Sequence, residues 1–204
     1  MVPVIIFQAM VPEPSGDAGK YLIIDTETTG TLIAGRSPPR LVEIAWLICD
    51  DMGEIIERGD RIICPDRFTI PLSASRIHGI TTDFALKAGV SVREALDALS
   101  LAADKSSLVV AHNLRFDHTI IAGECRRIGI PDPLVALPGI CTMESTAAFC
   151  RIKRRSGYKW PMLSELHRAL FGVPCGNAHR ATNDAEACAR CFFALKKMGF
   201  WKNA

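Results

Sequence analysis

The run Tyr21-Leu22-Ile23-Ile24-Asp25-Thr26-Glu27-Thr28-Thr29-Gly30 decides the fold of this 204-residue chain. Four large apolar residues in succession read as a buried strand, and acids stand at its end. Alternate side chains of a strand share a face, so Asp25 and Glu27 point the same way with backbones ~6.6 Å apart. Both carboxylates can then reach one ion cluster. A dinucleotide-binding sheet fits poorly, because acids occupy the place of a phosphate cradle and Gly30 and Gly35 do not make G-x-G-x-x-G. No Walker loop is present either.

Outward from this strand, Leu41 to Asp50 reads as a second strand, and Asp51-Met52-Gly53-Glu54 turns the chain into a third, Ile55 to Cys64. A fourth, Ser107 to Ala111, precedes Asn113, a candidate helix cap. Residues 91–103, 114–128, 142–151, 162–171 and 183–198 favour helices. In the second helix Asp117, Ile121, Cys125 and Ile128 fall near one face, so core packing aims the first-turn aspartate at the sheet. Pro161 and Gly172 bracket the fourth as a proline start and a glycine stop. Antiparallel strands, then a strand between helices, then a terminal helix make an α/β domain: a mixed sheet flanked by helices.

Composition sets the outer limits. Apolar residues make up 49% of the chain, with 12 prolines and no long polar tract, so it should fold throughout. The net charge of +2 selects no partner. Residues 151–159 nevertheless carry Arg151, Lys153, Arg154, Arg155 and Lys159, a cluster able to follow a nucleic-acid backbone or to form a solvated loop. Tyr158 and Trp160 interleave with it, as base-stacking groups or, for Trp160, as a core anchor. Eight cysteines suit reduced thiols in a chain this long. Met1 to Val11 is apolar but lacks a basic leader, and no apolar run reaches the length of a membrane span, so a cytoplasmic protein without membrane attachment is expected.

Asn113 to Asp117 and His179 to Asp184 supply further acids and one histidine. Four unpaired carboxylates in one cleft repel, and divalent cations turn the same arrangement favourable. Cys188-x-x-Cys191 with Cys175 and His179 has a spacing zinc could accept, but cysteines one helical turn apart are better explained as core packing.

The three segments together resemble the ribonuclease-H-like 3′–5′ exonucleases of the DEDDh type, which include the proofreading exonuclease subunit of bacterial replicative polymerases. Ile24-Asp25-Thr26-Glu27-Thr28-Thr29-Gly30 is similar to their first motif. Ala111-His112-Asn113 with Phe116-Asp117 is similar to the second, and His179-x-x-x-x-Asp184-Ala185 to the third. Ile77-His78-Gly79-Ile80-Thr81 matches a segment that often follows their third strand. The resemblance implies a ribonuclease-H-like fold, with residues 1–19 as a lead-in and 20–204 as a single exonuclease domain.

It also implies two divalent ions, magnesium first and manganese as a substitute, on the hard oxygen ligands Asp25, Glu27, Asp117 and Asp184. His179 would be the general base, its imidazole titrating near neutrality. Thr28, Thr29, Gly30 and Leu32 would meet the terminal nucleotide, with Asn113 auxiliary and Arg154, Arg155 and Lys159 on upstream phosphates. Relatives commonly carry an apolar residue directly after the motif's glycine, where this chain has Thr31 and then Leu32. The expected activity is 3′–5′ release of nucleoside 5′-monophosphates from single-stranded or frayed DNA ends. RNA trimming is the enzymatic alternative, and a silent nucleic-acid-binding or polymerase-assembly module the non-enzymatic one. The end at Ala204 favours a free-standing nuclease, while polymerase association and homodimerisation stay open.

Overall fold

Strand β1 (Tyr21–Thr28) lies at the centre of a five-stranded sheet of order β3-β2-β1-β4-β5. The computed structural model describes residues 19–176 and 180–201. Most of the expected lead-in, and His179, lie outside the described residues. β1 pairs antiparallel with β2 (Leu41–Cys49), which pairs antiparallel with β3 (Ile55–Ile62). On its other side β1 runs parallel to β4 (Leu108–Ala111), followed by β5 (Gly139–Cys141), also parallel. This is the expected mixed sheet, and β1 is the strand where its antiparallel and parallel halves meet.

Alternation along β1 sorts its side chains into two helical layers. Leu22 and Ile24 join the core under α3 (Val92–Ala103) and α4 (Leu114–Ile128), with Trp46 and Ile48 of β2 and Val109 of β4. Tyr21 and Ile23 face α8 (Ala181–Lys197), against Ala185, Cys188 and Phe192. β2 is buried along its whole length, as a strand covered on both faces must be. Opposite Trp46 in register stands Gly59, where a methyl group would fall inside the indole ring.

Five short elements depart from expectation, β5 among them. Helices α1 (Leu72–His78) and α2 (Thr82–Ala88) and the turn between them follow β3 and cover Val42 through Ala74, Ile80 and Ala85. The helix expected over 142–151 is broken into α5 (Thr142–Ser145) and α6 (Ala147–Cys150), between which Thr146 has φ −99° and ψ 9°. The buried Thr146 hydroxyl donates to the Thr142 carbonyl at 2.7 Å, the local side-chain bonding that competes with a continuing helix. Helix α7 (Leu163–Phe171) ends at Gly172 in the left-handed region and packs on α8 through Leu166, Cys191 and Leu195.

Candidate active site

Asp25 and Glu27 share the α8 face of β1, as their spacing requires, and α8 delivers Asp184 from its first turn. One carboxylate oxygen from each of these three residues lies within 4.8 Å of the other two. Among the described residues no other group of acids, histidines and cysteines converges in this way. Among the described residues the cysteines form no metal-binding group: Cys188 packs against the sheet and Cys191 against α7. Burial raises both thiols, and Cys191 reaches about 12.

Asp117 arrives from the opposite layer. It sits in the first turn of α4, buried, and accepts a 2.7 Å hydrogen bond from the Thr26 hydroxyl, which points to the α4 face of β1. Burial raises its pKa to about 7, against the lowering effect of that hydroxyl. Asp25 is raised well above the ordinary carboxylate range by burial first and then by the charges of Asp117, Asp184, Glu27 and Glu43. Glu27 rises to about 7 by burial and then by Asp184, Glu43 and Asp117. The convergence of three carboxylates carries the fit to a cation, and the raised pKa values agree with it. The acids resist ionising beside one another, their donors are hard oxygens, and a divalent ion reverses the penalty.

A fully buried carboxylate that the sequence reading passed over sets the position of α8. Glu43, directly across from Glu27 in the β1–β2 register, accepts from Arg180 Nε at 3.0 Å and Nη2 at 2.5 Å. It also accepts from the Ala181 amide at 3.0 Å. Its negative charge thus meets the free amides and dipole of the helix start. Glu124 of α4 plays the matching part on the other layer. It accepts from Arg40 Nε at 2.9 Å, Arg127 at 3.0 Å and the Leu41 amide at 3.1 Å, tying α4 to the start of β2. The signal for both was a lone acid inside an apolar strand or helix face.

The remaining sequence-derived residues separate into two groups. Thr28 and Thr29 shape the loop after β1: the Thr28 hydroxyl donates to Gly30 O at 2.6 Å, and Thr29 exchanges bonds with Arg40 through its amide and hydroxyl. Gly30 is exposed. Asn113 occupies the N-cap position of α4, but at φ 85° its side chain makes no capping bond. Asn113, Leu32 and Phe116 line an open recess of about 450 Å³ with Trp160. Trp160 is therefore not a core anchor, being 55% exposed. Arg154 and Arg155 lie exposed on the turn that Lys153 and Tyr158 bridge. Lys159 has an internal partner, its ammonium contacting both Glu165 oxygens at 2.7 and 2.8 Å. His78 is buried at the end of α1, where Nδ1 accepts from the Ile80 amide at 3.1 Å.

The exonuclease family model of the RNase T type matches residues 22–192, from the first buried residues of β1 through most of α8. The chain belongs to this family. No curated protein matches it by sequence. Among solved structures, Escherichia coli exonuclease I in complex with a dA16 oligonucleotide superposes with a TM-score of 0.74 at 19% identity, over 91% of this chain and 42% of that one. The zinc-bound form of the same enzyme with single-stranded DNA gives 0.71 at 22% identity, over 88% and 41%. A product-bound structure of exonuclease I gives 0.72 at 19%, over 92% and 46%. This exonuclease-family chain thus spans less than half the length of those structures, and the likeness is one of fold. Among the described residues no helix is long and apolar enough to cross a membrane.

Proposed function

We propose that this chain is a metal-dependent 3′–5′ exonuclease releasing nucleoside 5′-monophosphates from single-stranded or frayed DNA ends. The observation that carries the reading is the convergence of Asp25, Glu27 and Asp184, with Asp117 brought beside them from the other layer, in a chain of the exonuclease family. DNA as the substrate is supported by the oligonucleotide complexes of the similar Escherichia coli enzyme.

Asp25, Glu27 and Asp184 would hold one magnesium ion, and Asp25 with Asp117 a second, manganese being an acceptable substitute. Bound there, the ions supply Lewis-acid activation of water and neutralisation of charge on the phosphate. The rest falls to the chain. Thr26 holds the Asp117 carboxylate in place, and the Glu43–Arg180 pair holds the start of α8 so that Asp184 meets β1. His179, just before Arg180, is assigned as general base through the family motif. Gly30 and Leu32 face the terminal nucleotide, and Arg154 and Arg155 attract upstream phosphates.

The test is cleavage of matched DNA and RNA strands, each with a free or blocked 3′ end, in magnesium, with product masses resolved over time. The expected result is stepwise loss of 5′-monophosphates from free 3′ ends, faster on unpaired DNA. Asp25→Asn and Asp184→Asn should lose most turnover while keeping a native circular dichroism spectrum. Internal nicking of a circular strand, or cleavage that persists in chelator, would reject the mechanism, and preference for terminal ribose would move the substrate to RNA.

A further inference from the structure

The recess lined by Leu32, Asn113, Phe116 and Trp160 exposes two large apolar side chains. Leu32 is 40% and Trp160 55% exposed, although burying either would be favourable. Its lining comes from the segments that carry the acids: Leu32 follows the first motif by two residues, and Phe116 directly precedes Asp117. A volume of about 450 Å³ lies in the range of small-ligand sites. Arg115 and Glu144 add one cation and one acid to the lining, so the recess carries no net charge of its own.

Trp160 has little packing of its own but is anchored through both chain neighbours. On one side the Lys159 amide donates to Ile152 O at 2.9 Å, and its ammonium pairs with Glu165. On the other, Pro161 O lies 3.0 Å from His112 Nε2. A carbonyl only accepts, so Nε2 carries the hydrogen and Nδ1 accepts from the Thr142 hydroxyl at 2.9 Å. Burial pushes the His112 pKa down to about 4, which keeps the ring neutral and this pattern intact at neutral pH. His112 follows β4 immediately and precedes Asn113, so it ties the Trp160 segment to the chain that leads into Asp117. A fixed aromatic surface open to water is pre-organised to bind a flat partner with little ordering.

We propose that Trp160, together with Leu32, is the stacking platform for an unpaired base of the bound strand, and that His112 is the positioning residue that holds it there. The occupant is a nucleobase because the lining is drawn from the segments that carry the acids, Phe116 directly before Asp117 and Leu32 shortly after Glu27, a deduction that rests on the exonuclease reading. Arg115 at its wall and the exposed arginines at 154 and 155 supply charge for the backbone on either side. Stacking on an indole tolerates any base, since each presents a π face, but it requires the base to be unpaired. The platform thus selects strand state rather than sequence.

The experiment uses the full chain in two measurements. The first is steady-state cleavage of a single-stranded DNA oligonucleotide in magnesium. The second, in chelator, is acrylamide quenching of tryptophan fluorescence with the same oligonucleotide and with an abasic strand of equal length. Trp46 is buried, and Trp160→Phe supplies the background of the other indoles. Trp160→Ala should raise KM by about 5- to 100-fold with a much smaller change in kcat. The base-bearing strand should shield Trp160 from acrylamide, and the abasic strand should not. His112→Ala should reproduce the KM defect, and His112→Gln, which keeps an N–H donor, should recover part of it. If His112→Ala fails to fold, His112→Gln and Trp160→Ala decide. Normal KM in Trp160→Ala, with no shielding in wild type, overturns the platform while leaving the nuclease intact. Shielding without any cleavage by wild type overturns the nuclease reading and supports the platform.

Discussion

Replacing Glu43 with alanine should loosen the start of α8 and displace Asp184 from its partner acids. Glu43 is fully buried, accepts two donors of Arg180 and accepts the Ala181 amide. Breaking a buried ion pair costs about 3–5 kcal/mol when the surviving charge is trapped. Here it is not trapped, since the Arg180 side chain is 44% exposed and can turn to water. What is lost is the charge-assisted bond to the Ala181 amide, about 1.5–3 kcal/mol, together with the dipole interaction at the helix start. Removing one negative charge from beside Glu27 and Asp25 returns part of that. A net loss of about 2 kcal/mol follows, which for a domain of this size lowers Tm by about 4–8 °C. Misplacing Asp184 by about 1 Å should cost on the order of 100-fold in single-turnover cleavage. Thermal melts and single-turnover rates of Glu43→Ala and Glu43→Gln, in magnesium and in chelator, measure both effects. Wild-type melting and wild-type cleavage in Glu43→Ala would refute the assignment of α8 placement to this residue.

In chelator, stability should fall as pH rises from about 4.5 to 7. The folded pKa of Glu27, about 7, lies above its ordinary 4.5, so the native state keeps a proton that the unfolded chain has released. The stability due to that proton is complete below pH 4.5 and gone once pH passes 7, and magnesium should flatten the dependence. Urea denaturation across pH with and without the ion reads this, and a flat metal-free profile would contradict it. Gly59→Ala, placing a methyl group against Trp46, should destabilise by about 1–3 kcal/mol by chemical denaturation with little change in metal-dependent kcat. A neutral effect on stability would show that the indole moves aside freely.

The long elements were legible because their side-chain periods were clean. β1, β2 and β3 read as strands from apolar runs and alternation, and α3, α4, α7 and α8 fell within a residue or two of their expected bounds. The short ones were not: β5 has three residues, and α1 and α2 have seven each, too few for a period to emerge. Thr81, whose hydroxyl accepts from the Phe84 amide, was a readable start for α2. At the site, acids at motif spacings were legible because adjacency on a strand or helix fixes direction. Glu43 and Glu124 were not, because the partners that tie their elements together lie far along the chain, Arg180 for one and Arg40 for the other, even though Glu124 also pairs locally with Arg127. Only folding reveals which charges they neutralise. Likewise Trp160 stood beside basic residues in the sequence, but its exposure and the His112 link needed the assembled loop.

The acids also set a timetable for the nascent chain. Asp25 and Glu27 emerge early on β1, Asp117 midway on α4, and Asp184 only with α8, which must then dock against β1, β2 and β4. The chain up to the start of α8 contains all five strands but not the third carboxylate of the cluster. The candidate metal cluster is completed only by the last helix, whose apolar face also covers one side of the sheet, so the site and that half of the core are made together.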